Sequence, residues 1–339
     1  MRKLICFIGS LVLVAAAFAQ QAPDTEPMEE VVVTGEFPGP GMWKVTRADD
    51  PAAHALWIVG DPPPLPKRMR WKSREVEAVV VSAQEILLDS TVTMEPDEKI
   101  GFFRGMTLVP AMLRARKNPE EATLEELLPP DLYARWRVQK ARFLGREKGV
   151  EEWRPLFAAD KLRRAAIDDL DLRESGMVWD AVSKIAKQHK KKITSPNYKF
   201  TFKRSEVREK LKEFSRESLA DVECFSTMLD YTEALSRTET ESARAQAWST
   251  GNIAALEALP QLPNPGLPCA MAVLNSQVAH DVFPADIRER LRVLWLEAAA
   301  RSLAGNQTTF AIVPLRKLLG DDGYLSALRA KGFLVQAPR

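Results

Sequence analysis

Four charged side chains stand where acid–base or anion-binding chemistry could be done: Asp61, Asp89, Arg316 and Lys317. Each comes at or just beyond the end of a short apolar run that reads as a β-strand. Asp61 follows Ala55-Leu56-Trp57-Ile58-Val59, Asp89 ends Glu85-Ile86-Leu87-Leu88, and Arg316 and Lys317 come after Thr308-Thr309-Phe310-Ala311-Ile312-Val313. In open α/β sheets ligands bind beyond the carboxyl ends of the strands, so two acids and two bases converge if these strands are neighbours. Such a group could bind an anion or neutralise itself as an ion-pair network. It could also run metal-free hydrolysis, provided one carboxylate has a raised pKa in a closed cleft.

Familiar catalytic signatures are absent: there is no Gly-rich phosphate loop, no His-Glu-x-x-His, no Gly-x-Ser-x-Gly and no Cys-x-x-Cys. The three histidines, His54, His189 and His280, lie far apart and read as surface or cap residues rather than ligands. The marked basic cluster is His189-Lys190-Lys191-Lys192 with Lys199, Lys203 and Arg204. It reads either as a solvated helix end, where lysines favour the C-terminal dipole, or as a site for an anionic head group or phosphorylated glycan.

These residues need elements to position them. Apolar residues in 42–45 and 55–59, joined by a polar break, predict a hairpin. A helix over 73–83 then delivers the chain to a third strand at 85–89. From 101 to about 247 the pattern is almost wholly helical, with apolar residues at three and four spacing in 106–116, 123–128, 131–146, 158–172, 177–189, 205–214 and 219–235. Thr123-Leu124-Glu125-Glu126 matches a capping box. One short strand, Lys192-Ile193-Thr194, interrupts this stretch, and 260–268, with four prolines, reads as a linker. The last part predicts a helix over 284–303, a buried strand at 308–313, a helix over 323–330 and a strand at 333–335. That order implies a right-handed crossover into a parallel pair. The expected class is therefore α/β (α+β): a central mixed sheet built from strands at both ends of the chain, with a helical insertion at about 101–260.

The first twenty residues read as a signal peptide. Arg2 and Lys3 precede an apolar run of 15 residues that closes on Ala17-Phe18-Ala19, which places cleavage near Ala19. The run is short of the ~20 residues needed to span a bilayer, so no transmembrane anchor is expected. Removing Arg2 and Lys3 takes the 48 Lys+Arg to 46, equal to the 46 Asp+Glu, and a neutral chain makes nucleic acid a poor partner. Export leaves Cys224 and Cys269 as an even pair in an oxidising compartment, periplasmic or secreted, which favours a disulfide. The alternative is two separate buried thiols. Residues 21–41, rich in Pro, Gly and acidic side chains, read as a flexible leader ahead of one domain over 42–339.

Met42-Trp43-Lys44-Val45, Leu56-Trp57-Ile58-Val59-Gly60 and Ala83-Gln84-Glu85-Ile86-Leu87-Leu88-Asp89 resemble the N-terminal half of the TraB/GumN family, related to the Tiki-type metalloproteases. Trp248-Ser249-Thr250-Gly251-Asn252 is similar to that family's Trp-x-x-Gly-Asp. The residues from Thr308 to Val313, Leu318-Leu319-Gly320 and Gly332-Phe333-Leu334-Val335 are similar to its closing strand-helix-strand unit. The resemblance implies a Gly-x-x-His after an early strand, a second after the strand near the C-terminus, and an acidic residue between them. Here the two positions read Gly60-Asp61-Pro62-Pro63 and Pro314-Leu315-Arg316-Lys317, and Asp89 stands for the usual glutamate. Proline offers no ligand and lysine is a cation at pH 7, so the expectation is a site holding neither metal nor cofactor. The leading reading is a non-catalytic binding or accessory protein of the cell envelope, with a peptide, glycan or envelope protein as partner. The alternative is a metal-independent or residual hydrolase using Asp61, Asp89, Arg316 and Lys317. Glu30-Val31-Val32-Val33-Thr34-Gly35 resembles the segment ahead of the plug of TonB-dependent receptors, which implies as a second alternative a partner of an outer-membrane transporter.

Overall fold

The computed structural model describes residues 39–49, 54–62, 64–98, 107–280, 284 and 286–338. The expected signal peptide and the segment at 30–35 lie outside the described residues. The strands are β1 (Met42–Arg47), β2 (Ala55–Asp61), β3 (Leu65–Pro66), β4 (Glu85–Leu88) and β5 (Thr91–Pro96), then β6 (Leu172–Arg173), β7 (Lys192–Thr194), β8 (Asn197–Phe202), β9 (Thr308–Pro314) and β10 (Phe333–Gln336).

Six of them form one mixed sheet in the order β10-β1-β2-β9-β4-β7. The hairpin expectation holds: β1 pairs antiparallel with β2, Val45 opposite Leu56. β2, β9, β4 and β7 run parallel, with β9 inserted between β2 and β4. The two ends of the chain thus build the sheet, as the apolar runs implied. β9 is buried at every residue from Thr309 to Val313, so both its faces are covered, which is how parallel strands come to read as continuous apolar runs. Burying Phe310 alone contributes about 1.5–3 kcal/mol. Helices Arg74–Ser82, Ile287–Gly305 and Tyr324–Ala330 pack against this sheet, Val76, Val80, Trp295 and Leu328 entering the same core.

The expected parallel crossover at the C-terminus is wrong. β10 pairs antiparallel with β1, Val335 opposite Val45, and does not touch β9. The short helix Leu315–Leu318 and helix Tyr324–Ala330 carry the chain past β2 to the free edge of the hairpin.

The insertion is mostly helical and has its own core, in which Leu124, Trp136, Leu162, Phe225 and Leu229 are buried together. Helices Leu124–Leu127, Pro130–Phe143, Pro155–Asp169 and Val222–Leu235 supply these residues. The capping box forms, Glu126 accepting from the Thr123 N–H at 2.7 Å. Cys224 and Cys269 are bridged, tying helix Val222–Leu235 to helix Gly266–Leu274. That second helix is a correction, since it starts inside the proline-rich stretch read as a linker. The stretch is also not uninterrupted helix: β8 lies within it and pairs parallel with β5, and β6 pairs with β3. Among the described residues no helix is long and apolar enough to cross a membrane.

Candidate functional site

β2, β9 and β4 are parallel neighbours, so Asp61, the Arg316-Lys317 pair and Asp89 all lie at the same, carboxyl-terminal edge of the sheet. Two of the four, Arg316 and Lys317, are seated by the chain turn after β9. Helix Leu315–Leu318 begins immediately at Pro314 and folds back onto β2. It can do so because residue 60 is glycine: a Cβ there would sit 2.5 Å from Leu315 Cδ1. The Gly60 carbonyl is held in turn by the Trp248 indole N–H at 3.0 Å.

The four side chains form two separate groups. In the first, Lys317 Nζ donates to Asp89 Oδ2 at 2.6 Å, while Asp89 Oδ1 accepts from the Tyr324 hydroxyl at 3.1 Å and the Ser90 N–H at 2.9 Å. The tyrosine ring stacks on Trp295, centroids 4.2 Å apart, which fixes where its hydroxyl points. Burial and the neighbouring Asp89 carboxylate push the Tyr324 hydroxyl pKa up, so it remains a donor. Asp89 is therefore saturated by an ammonium, a phenol and a backbone N–H.

In the second group Asp61 reaches the start of helix Met177–Gln188. Its Oδ2 accepts from the Gly176 N–H at 3.2 Å, and the Val178 N–H also acts to lower the carboxylate's pKa. It serves as the N-terminal cap of a helix 115 residues away in sequence, satisfying donors that the helix leaves open. Burial raises its pKa; those backbone donors and the charges of Arg173 and Arg316 only partly offset this. Its Oδ1 is buried and has no hydrogen-bond partner among the described residues. Asp61 and Lys317 share no hydrogen bond or ion pair among the described residues.

The sequence reading brought the right residues to one edge but missed Tyr324 and the Gly176 N–H. Tyr324 could have been suspected, because a buried tyrosine must satisfy its hydroxyl. It missed Glu85 as well. This residue opens β4 at the opposite end of the strand from Asp89, and its side chain is only 5% exposed. Burial alone would raise its pKa, but donation from Thr194, Lys192 (2.9 Å), Asn306 (2.7 Å) and Ser302 (3.0 Å) outweighs it and brings the value down to about 2. The available signal was a charged residue opening an otherwise apolar strand, Glu85-Ile86-Leu87-Leu88.

A depressed carboxylate pKa stabilises the fold above the unfolded value and loses that contribution as pH falls through the folded one. Between an ordinary 4.5 and about 2, Glu85 is expected to contribute on the order of 3 kcal/mol at neutral pH. Urea denaturation of the wild type and Glu85→Gln at pH 7, 4.5 and 2.5 checks this. The gap between them should be full at pH 7 and shrink steeply below pH 4.5, and a gap independent of pH would refute it.

The basic cluster does not form an anion site. Lys192 pairs with Glu85, Lys199 with Glu95 at 3.2 Å, Lys203 with Glu206 at 2.9 Å and Arg204 with Glu98, while Lys191 donates to the Val81 and Ala83 carbonyls. Of the histidines, His54 is half-buried and its Nδ1 bonds the Leu303 carbonyl at 2.7 Å, in the last turn of helix Ile287–Gly305, so it acts as a cap. His189 caps the C-terminus of helix Met177–Gln188, and His280 closes the short helix Gln277–His280. Among the described residues no three His, Cys, Asp or Glu side chains come together as a possible cation site.

The donor set therefore does not suit a divalent cation. An ammonium already occupies the inner side of Asp89, and Asp61 is turned to a helix end. Searches of curated proteins and of solved structures each return no match. The model of the TraB/PrgY/gumN family matches residues 41–337, nearly the whole described chain, and the protein belongs to that family.

Proposed function

We propose that this chain is an exported, non-catalytic member of the family that works as a binding or accessory protein of the cell envelope, after signal cleavage near Ala19. Its binding surface is the carboxyl-terminal edge of the parallel strands. One observation carries the reading: Lys317 Nζ lies 2.6 Å from Asp89 Oδ2, where a metal-binding pattern would set a neutral imidazole against a free carboxylate. A lysine ammonium does the electrostatic work of a cation without being able to polarise a water. Metal content of the purified mature protein, after incubation with Zn²⁺ and Mn²⁺ and gel filtration, tests it together with peptide hydrolysis in the presence and absence of chelator. Substoichiometric metal and no chelator-sensitive hydrolysis are expected. One bound metal per chain, or hydrolysis that chelator abolishes, would sink the reading.

One feature favours the alternative of a metal-free hydrolase: Asp61 is a buried carboxylate of raised pKa, the property a general acid needs. Against it, Asp61 spends Oδ2 on a helix cap, and Asp89 is neutralised by Lys317. The hydrolysis assay separates the two readings, since metal-free chemistry would persist in chelator.

A further inference from the structure

A second site lies on the hairpin side of the sheet and shares no residue with the edge that carries Asp61 and Asp89. The sheet brings Gln336 of β10, Lys44 of β1 and Trp57 of β2 into one cross-strand row, Lys44 directly opposite both others. These three line a cavity of about 440 Å³ together with Glu75, from the first turn of helix Arg74–Ser82, and with Thr250 and Gly251 beyond helix Thr238–Ser249. Separate segments of the chain thus converge on one hollow, and its volume falls in the range of small-ligand sites.

The hollow exists because backbone meets backbone beneath it. Gly251 holds φ +67°, and a Cβ there would come within 3.0 Å of the Gly41 nitrogen. A Cβ on Gly41 would in turn press to 2.7 Å on Pro338 Cγ. A side chain at either position would have to displace the wall.

The lining has a definite chemistry. Lys44 Nζ stands 5.6 Å from the centre of the half-buried Trp57 ring. Among the described residues neither Lys44 nor Glu75 makes an ion pair, although most of the other charged groups discussed above are neutralised by a partner. The lining therefore presents an ammonium without an ion-pair partner beside an aromatic face, a carboxylate without an ion-pair partner, and the Gln336 amide, which both donates and accepts.

We propose that this cavity binds a short peptide with free termini. The α-carboxylate meets Lys44, the α-ammonium meets Glu75, and the intervening backbone and apolar side chains lie along Trp57. A ligand carrying only one charge would leave one of these two groups without a partner. A neutral glycan would leave both. The site is independent of the reading given above for the strand-end edge, and either can fail without the other.

Isothermal titration of the mature protein with trialanine, N-acetyl-trialanine and trialanine amide tests it. Trialanine should bind saturably, and blocking either terminus should weaken binding about tenfold, the loss of one charge-assisted contact. Lys44→Met should bind the free peptide and its amide equally, while Glu75→Gln should lose discrimination against the acetylated form. Both positions are at the surface of the cavity, and circular dichroism melts establish that the variants fold. Absence of saturable binding, equal binding of all three peptides by the wild type, or retained end-group discrimination in both variants would overturn the proposal.

Discussion

Replacing Arg154 by alanine is expected to remove about 3–5 kcal/mol of stability, the cost of breaking up a buried charged network by deleting one member. Arg154 is 1% exposed, yet among the described residues it forms no hydrogen bond to a carboxylate. Its Nε donates to the Ala115 carbonyl at 3.0 Å, Nη1 to that of Glu217 at 2.8 Å and Nη2 to that of Phe214 at 2.5 Å. Ala115 is the last residue of helix Val109–Ala115, and Phe214 and Glu217 close helix Val207–Arg216. The last carbonyls of a helix have no partner within it, and they sit at the negative end of its dipole. One guanidinium thus caps two helices and lies over the Phe214 ring, 4.7 Å from its centre. Asp221 and Glu217 supply the compensating charge nearby.

Volume alone does not explain the effect, and a second variant shows why. Arg154→Met keeps most of the side chain's bulk but leaves the Ala115 and Glu217 carbonyls without donors and the Phe214 carbonyl with only the Glu217 N–H at 3.3 Å, and a buried carbonyl without a donor costs about 1–3 kcal/mol. It should therefore lose nearly as much as the alanine variant. Arg154→Lys should rescue little, because a single ammonium cannot fork to three separated acceptors. Urea denaturation of the three variants decides the matter. A methionine variant within about 1 kcal/mol of wild type would show packing, not capping, to be the role.

Arg154 also shows where sequence reading stops. In sequence it is an arginine before a proline at the start of a helix, indistinguishable from a solvated residue, and its partners lie 39 to 63 residues away. What was legible obeyed local rules. β2, β4 and β9 are apolar runs ending in charged or turn residues, so Asp61, Asp89, Arg316 and Lys317 could be read as strand-end groups, and the parallel pairing of the three strands then puts them at one edge. What was not legible was pairing. β8 alternates Tyr198, Phe200 and Phe202 with polar residues, a period of two that the surrounding helical pattern masked. Its partner β5 is largely exposed and alternates Val92, Met94 and Pro96 with Thr91, Thr93 and Glu95, so no continuous apolar run announced it. The placement of β10 failed for the same reason: its strand character is local, but its choice of β1 over β9 depends on which sheet edge is open.

At the candidate site the same division holds. Charge type and strand ends were visible, whereas the Gly176 N–H that takes Asp61 arrives from beyond the first half of the insertion. Nothing in 60–63 forecasts that contact. The resemblance to the family supplied what periodicity could not, namely that positions 63 and 317 are those where histidines would be decisive. Geometry then showed what stands at the second of them: an ammonium held against Asp89.

The Cys224–Cys269 bridge carries the other large expectation. It closes a loop of 45 residues, for which the chain-entropy relation gives about 4 kcal/mol at 25 °C. Cys224 is wholly buried in the insertion's core beside Phe225 and Trp136, a cluster separate from the one under the sheet. That core is small, and small cores lean most on covalent staples. The double variant Cys224→Ala/Cys269→Ala should accordingly lose about 4 kcal/mol. Wild type denatured in the presence of reductant should lose the same, while the double variant should not respond to reductant at all. The loss should be local before it is global: in hydrogen exchange, amides of helices Pro130–Phe143 and Val222–Leu235 should lose protection while those of β2 and β9 keep it. Equal midpoints for wild type with and without reductant would remove the bridge as a stabiliser. Uniform loss of protection across both cores would show that the insertion and the sheet unfold as one unit.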